Sequence, residues 1–306
     1  YITIMQRATL TLRSGQYPDA LALLQLLKPI TWFPPMWAFL CGWISAGPGT
    51  GLSGWSLLAG VILTGPLVCG ASQIVNDWYD RDVDALNEPD RPIPSGRVPG
   101  TTAFWFAVVW TAIAQTWAIL LGPWVAAATG LGLALAWAYS APPLRLKMNG
   151  WWGNSAVAIS YEGLAWITGA AIVIGGDLPA QPILLIALLY SIGAHGIMTL
   201  NDFKSVEGDL TMGIRSLPAQ LGPTRAARVA CLFMLLPQLI VILLLVRWGL
   251  MPFALAVSLV VVAQLLAMRK LLRDPKQFAP WYNATGVSLY VLGMMAVAIG
   301  LGGWLM

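Results

Sequence analysis

Apolar stretches about 20 residues long, with at most one charged residue each, recur along this chain, and that recurrence limits its fold more than any other feature. A helix needs roughly 20 mostly apolar residues to cross the hydrocarbon core of a bilayer. Nine such stretches can be placed, at roughly 30–47, 53–76, 102–121, 123–140, 153–175, 180–200, 226–246, 249–268 and 284–305. Composition rules out the water-soluble alternative. Of 306 residues 58% are hydrophobic and 10% charged, against roughly 25% charged in a soluble domain. The expected fold is therefore all-α: a polytopic membrane protein of about nine transmembrane helices around a central cavity open to the cytoplasmic side. Residues 1–29 form an N-terminal arm with an interfacial helix from about Pro18 to Lys28, and residues 30–306 form a single transmembrane domain. The opening residues carry no readable secretory signal.

Rare residue types exclude whole classes of chemistry. Cys41, Cys69 and Cys231 lie inside apolar stretches, and no C-x-x-C pair occurs. No disulfide framework, zinc cluster or c-type haem site is legible. The single histidine, His195, excludes sites built from several imidazoles. The net charge of +4 does not indicate nucleic acid, because the basic residues are gathered in loops beside apolar spans. By this placing of the spans, 16 of the 17 Lys and Arg residues fall on one face and only Arg247 on the other. The positive-inside bias puts that face in the cytoplasm, with the N-terminus inside. Nine of the 13 acids fall in two loops on the same face. Any chemistry belongs there.

Those two loops echo each other. NDWYDRDVD starts at Asn76, at the end of the second span, and NDFKSVEGD starts at Asn201, at the end of the sixth, 125 residues later. RPIPSGR follows the first and GIRSLP the second. An echo after four spans suggests two four-helix repeats, about 30–140 and 153–268, with a ninth span at about 284–305. Asn76, Asp80 and Asp84 are spaced i, i+4, i+8 and would stack along one helical face, as would Asn201, Ser205 and Asp209. Asp77 and Asp202 flank those faces. Carboxylates stacked this way repel one another unless a cation lies between them, and oxygen ligands without His or Cys suit Mg2+. Mg2+ commonly joins one or two carboxylates to substrate phosphates. The expected metal ligands are Asn76, Asp80, Asp84, Asn201, Asp202 and Asp209. Lys28, Arg81, Arg91, Arg145, Lys147, Lys204 and Arg215 are the bases close enough in topology to hold a diphosphate. The bland alternative, solvated acids balancing basic residues, is disfavoured by the echo and by the scarcity of acids elsewhere.

At these residues the chain resembles the UbiA-type membrane prenyltransferases. The stretches NDWYDRDVDALNEPDRPIPSGR, YSAPPLRLK and NDFKSVEGD with GIRSLPAQLG are similar to their (bacterio)chlorophyll synthase branch. KPITWFPPMWAFLCG, WWGNSAVAISYEGLAWITGA, GAHGIMTLNDFK and WYNATGVSLYVLGMM look more like the bacteriochlorophyll synthases than the chlorophyll synthases. The resemblance spans most of residues 25–300. It implies that a prenyl diphosphate esterifies the propionate of a bacteriochlorophyllide, with Mg2+ as cofactor and Asp80, Asp84 and Asp209 as catalytic residues; Tyr139 is added to the catalytic set on its aromatic chemistry. It also implies the inner membrane of a phototrophic bacterium and association with other membrane proteins of pigment synthesis or photosystem assembly. The chain departs from the pattern at Ser205, where many relatives carry an earlier Asp of the second motif; Asn201, Asp202 or Glu207 would then compensate.

Other residues have two readings each. Glu162 lies inside the fifth span, where a charge costs roughly 2.5–3.5 kcal/mol on insertion scales; it either orients substrate or is a hydrogen-bonded, protonated structural acid. His195 could ligate the magnesium of a pigment, but a helix residue packed between Gly193 and Gly196 is the simpler reading. Tyr139 could line the path of a cation or belong to an interfacial belt. Trp151, Trp152 and Trp166 could stack on a flat macrocycle. A chlorophyllide, a quinone ring or a haem precursor would be alternative acceptors. A secondary transporter is the competing class, disfavoured because its acids would sit near the midplane rather than at helix ends. A structural pigment-binding protein would need more histidines than one.

Overall fold

The structure is a computed structural model that describes residues 18–48 and 53–303. Arg7 and Arg13, counted above with the basic face, and the end of the ninth stretch past residue 303 lie outside the described residues. The described residues are helical, with one isolated backbone bridge, Asn149 to Arg215, and no strand. In chain order the helices are α1 (Ala20–Leu26), α2 (Phe33–Ser45), α3 (Gly54–Asn87), α4 (Thr102–Leu121), α5 (Pro123–Ser140), α6 (Gly150–Val173), α7 (Gln181–Asn201), α8 (Val206–Thr211), α9 (Leu217–Leu221), α10 (Pro223–Arg247), α11 (Met251–Leu271) and α12 (Pro275–Gly302).

Seven of these helices, α3, α4, α6, α7, α10, α11 and α12, are long and apolar enough to cross a membrane. They match seven of the nine stretches read from the sequence. The other two are helical but fall short, each for a visible reason. Helix α2 has 13 residues, a rise of about 20 Å against a hydrocarbon core of about 30 Å. Its start is set by Pro34 and Pro35, tolerated in a first turn because the N–H groups there have no helical partner. Helix α5 has 18 residues, many of them Ala, Gly and aromatic, which lowers its hydropathy. Small side chains leave room beside a helix, and α5 is one wall of the cavity described below. Helix α1 is an apolar helix of seven residues capped by Asp19, whose side chain accepts from the Leu21 N–H. It buries Ala22 and Leu26 against Ile74, Val75 and Val98.

Two helices change pitch midway. The segments Leu63–Cys69 of α3 and Ile159–Leu164 of α6 are π-helical. Pro66 lies in the first; it offers no N–H to the ladder and its ring crowds the preceding turn. π-segments are rare and gather at functional sites, and both of these line the same cavity.

Elsewhere the bundle is held by apolar packing and a few interhelical hydrogen bonds. Gln238 of α10 and Gln264 of α11 exchange amide hydrogen bonds of 3.1 and 3.0 Å, with both residues buried. Removing one partner strands the other amide inside the bundle, whereas removing both leaves two apolar surfaces. Gln238→Leu is expected to destabilise by roughly 1 kcal/mol, and the Gln238→Leu/Gln264→Leu pair to recover part of that loss. Thermal inactivation of the purified protein measures both.

Candidate active site

The first acidic motif lies on the last turns of α3, which runs unbroken to Asn87. The expected stacking holds there: the Asn76 amide donates to Asp80 Oδ2 at 3.0 Å, across one turn. Asp77, Asp80 and Asp84 each meet a cation from outside the helix. Lys28 Nζ lies 2.6 Å from Asp77 Oδ1, Lys147 Nζ 2.5 Å from Asp80 Oδ1, and Arg91 2.9 Å from Asp84 Oδ2. Arg145 approaches Asp80 at 3.7 Å. Asp77 is almost fully buried, with 3% of its surface exposed, so its pairing with Lys28 is the one whose loss would leave a charge in an apolar setting. Burial pushes the Lys147 ammonium below the ordinary lysine range, and Asp80 pulls it back up.

The two leading lysines sit in matching places. Lys28 precedes the short turn into α2, and Lys147 lies in the turn into α6. Both turns are set by a basic residue in left-handed conformation, Lys28 with φ 44° and Arg145 with φ 37°. Side-chain-bearing residues adopt that conformation at a cost and mostly at sites held by their surroundings. Here each is tied on both sides by backbone hydrogen bonds, Lys28 to Gln25 and Thr31 and Arg145 to Ala141 and Met148.

The second motif is not a continuous helix, which corrects the spacing argument. Helix α7 ends at Asn201, a 3-10 turn covers Asp202–Lys204, and α8 starts at Val206. Ser205 breaks the run: its hydroxyl bonds the Asp202 carbonyl at 3.2 Å and Asp209 Oδ2 at 3.1 Å. Serine competes for local backbone groups in this way and favours turns over helix interiors. Asn201 and Asp209 therefore stand on different helices. Amides rather than cations hold this motif: Asn154 donates to Asp202 Oδ2 at 3.0 Å and Asn283 to Asn201 Oδ1 at 2.6 Å.

The two motifs meet at a cavity of about 430 Å³. Asn76 and Asn201, the first residues of each motif, both line it. Tyr139 of α5 lines it too and lies within charge-interaction range of Asp80, Asp202 and Asp209. None of the motif acids lines the cavity itself: Asp77, Asp80, Asp84, Asp202 and Asp209 all stand outside its lining, and of the two motifs it is Asn76 and Asn201 that reach it. Among the described residues, no group of three His, Cys, Asp or Glu side chains is close enough to form a ready-made metal cluster. Asp77, Lys28 and Arg91 also border a second hollow of about 580 Å³ together with Arg97.

The remaining predicted residues are placed less centrally. Arg81 lies over the Trp78 ring at 4.2 Å and donates to the Trp78 carbonyl. Lys204 and Arg215 are exposed, and Arg215 pairs through its backbone with Met148 and Gly150. Trp166 is fully buried, stacked on Tyr190 at 5.6 Å, with its indole N–H on Ser45. No face of it is open to a macrocycle. His195 lies outside the cavity lining, packed against Phe233 with ring centroids 4.4 Å apart. Glu162 is on the cavity wall. Sequence reasoning passed over Asn154 and Asn283, whose amides inside one apolar span and at the edge of another were the available signal.

Known proteins place this arrangement. Residues 31–292 match the model of the UbiA prenyltransferase family. The chain belongs to the UbiA prenyltransferase family. This UbiA-family chain is a multi-pass membrane prenyltransferase. It is 54% identical to the bacteriochlorophyll synthase 33 kDa chain of Cereibacter sphaeroides, covering 96% of this chain and 97% of that one. It is 38% identical to the chloroplastic chlorophyll synthase of Arabidopsis thaliana, covering 90% of this chain and 73% of that one. A digeranylgeranylglyceryl phosphate synthase structure shares the fold with a TM-score of 0.75 at 18% identity, over 92% of this chain and 98% of that one. So does a UbiA homolog from Archaeoglobus fulgidus bound to GPP and Mg2+, with a TM-score of 0.69 at 19% identity, over 90% and 99%.

Proposed function

We propose that this UbiA-family prenyltransferase is a bacteriochlorophyll synthase: it esterifies the propionate of a bacteriochlorophyllide with a geranylgeranyl or phytyl diphosphate and releases pyrophosphate. What carries the reading is the 54% identity over nearly the whole chain, set on a cavity with both asparagine-led motifs in its wall. In the reaction the allylic C–O bond to the diphosphate breaks, with its electron pair leaving on the diphosphate. A propionate oxygen of the pigment then forms the new C–O bond. That carboxylate is already ionised at neutral pH, so the protein need not supply a strong base. Its tasks are positioning, charge stabilisation and exclusion of water that would capture the allylic cation.

Lys28, Arg91, Arg145 and Lys147 already face the first motif and suit the diphosphate oxygens. An incoming diphosphate would compete with Asp77, Asp80 and Asp84 for these cations and free carboxylate oxygens. Those oxygens, with Asn76, Asn201, Asp202 and Asp209, form a hard donor set that fits Mg2+. They would hold the ion, which when bound would neutralise charge on the departing diphosphate. The Tyr139 ring, facing the cavity between the motifs, suits the path of an allylic cation. We read the bundle as two four-helix repeats plus α12, with the cytoplasm on the side of the acidic motifs and the inner membrane of a phototrophic bacterium as its location.

Incubating the purified protein with bacteriochlorophyllide and geranylgeranyl or phytyl diphosphate, then identifying products by mass, tests the activity. The ester is expected with Mg2+ and lost in excess chelator. Full turnover under chelation would contradict the metal assignment, and ester from chlorophyllide alone would reassign the acceptor.

A further inference from the structure

The polar groups of the cavity wall are mostly already spoken for. Thr31 donates to the Lys28 carbonyl, Thr64 to the Gly60 carbonyl and Ser72 to the Cys69 carbonyl. Tyr161 accepts from Gln73 at 3.1 Å and contacts Cys69 Sγ at 3.3 Å, which ties one π-segment to the other. Glu162 is different. It is only 6% exposed, its Oε2 is buried without a hydrogen-bond partner, and it lines the cavity from the π-segment of α6. None of the described lining residues is Lys, Arg or His. An ionised carboxylate has nothing to neutralise it there, and a buried acid in such a place takes a proton instead. A protonated carboxyl offers one O–H donor. Within the described residues no hydrogen bond satisfies Oε2, so an acceptor carried in by a bound substrate would complete it.

Of the two substrates, the prenyl diphosphate carries its acceptors on the diphosphate, which the basic residues at the first motif would hold outside this wall, and its chain is hydrocarbon. The pigment macrocycle carries ring carbonyls that accept hydrogen bonds and never donate. Resting on the activity proposed above, we infer that Glu162 is a positioning residue that donates a hydrogen bond from its neutral carboxyl to a ring carbonyl of the macrocycle, fixing the pigment's orientation so that its propionate faces the diphosphate site. The macrocycle edge, not the prenyl tail, then occupies the cavity at α6. A pigment lacking that carbonyl would be rejected, because Glu162 would stay buried and unpaired.

The test compares the whole protein with its Glu162→Leu and Glu162→Gln variants in detergent, using bacteriochlorophyllide as the probe. Glu162→Leu is expected to raise the KM for pigment about 10-fold, with the KM for prenyl diphosphate unchanged. Glu162→Gln, which keeps an N–H donor, is expected to restore most of the affinity. Titration of pigment without turnover should show the lowest-energy absorption band displaced on binding to the wild type and to Glu162→Gln, and less so in Glu162→Leu. Equal impairment of both variants overturns donation. A rise in the KM for prenyl diphosphate instead overturns the assignment of the cavity. An unaltered band and affinity in Glu162→Leu overturns the inference outright. A wild-type protein that binds pigment with a Glu162-dependent band but makes no ester would leave this inference standing and remove the proposed activity.

Discussion

Asp80→Ala and Asp84→Ala are each expected to abolish detectable prenyl transfer, a loss of at least about 10²-fold, in protein that still inserts and purifies as a folded species. Asp80 is where the site's connections converge: it holds Lys147 at 2.5 Å, faces Arg145 at 3.7 Å and receives the Asn76 amide. Removing it frees two cations from their shared anchor and deletes a proposed metal ligand. Asp84 anchors Arg91, which also approaches Asp77 at 3.6 Å. Folding should tolerate either change: the Asp80 side chain is 24% exposed, and partly exposed ion pairs contribute about 0–1 kcal/mol, while the loss of the more buried Asp84 leaves Arg91 still paired with Glu88 at 2.7 Å. Asp82→Ala is the matched control. Its side chain is 87% exposed and its partner Arg81 is 3.8 Å away, so turnover should match the wild type. Ester formation followed by mass, beside the chromatographic profile of each variant, makes the measurement. Wild-type turnover in Asp80→Ala would remove the diphosphate assignment altogether.

The acids could be found from the sequence because charge is scarce in this chain: with few acids elsewhere, NDWYDRDVD and NDFKSVEGD stand out. The bases that answer them could be narrowed only by topology, and the fold separates those that reach the inward acids Asp77 and Asp80, such as Lys28 and Lys147, from Arg81, which turns to Trp78 and the exposed Asp82. Periodicity failed at the second motif because spacing assumes a continuous helix, and Ser205 chooses local partners over the ladder. It also undervalued Asp77. Placed one position off the expected stripe, it is nonetheless the most buried acid of the first motif and the partner of Lys28. Trp166 looked like a stacking surface because sequence counts aromatics without showing which faces are taken; here Tyr190 takes one face and Ser45 the indole N–H. The π-segments left only faint traces, Pro66 in one and Gly163 in the other, and those residues are common in membrane helices anyway.

The crossing of α2 with α6 is where the largest effect on stability is expected, at residues with no chemistry of their own. A Cβ built on Gly42 would sit 1.9 Å from the Trp166 carbonyl oxygen, and one on Gly169 would sit 2.1 Å from the Phe39 carbonyl oxygen. The pairs run in opposite order along the two helices, so the crossing is antiparallel and backbone meets backbone twice. Small residues permit such approach in membranes, where helix association depends on close packing. Neither contact can be relieved by a rotamer change, because the obstructing atoms are main-chain carbonyls. Gly42→Val and Gly169→Val are expected to lower stability by more than about 3 kcal/mol, beyond the ordinary cost of overpacking, seen as loss of monodisperse protein or a steep fall in the temperature of inactivation. Gly54→Ala should be neutral, since its new methyl would meet nothing within 4 Å. The two helices also carry function to this contact: α2 follows Lys28, and α6 follows Lys147 and bears Glu162. A crossing pushed apart would shift both lysines relative to Asp77 and Asp80. A milder Gly42→Ala protein that survives purification should therefore lose turnover at temperatures where it remains folded. Wild-type turnover and stability in that variant would mean that the close approach of the two backbones does not set the geometry of the site.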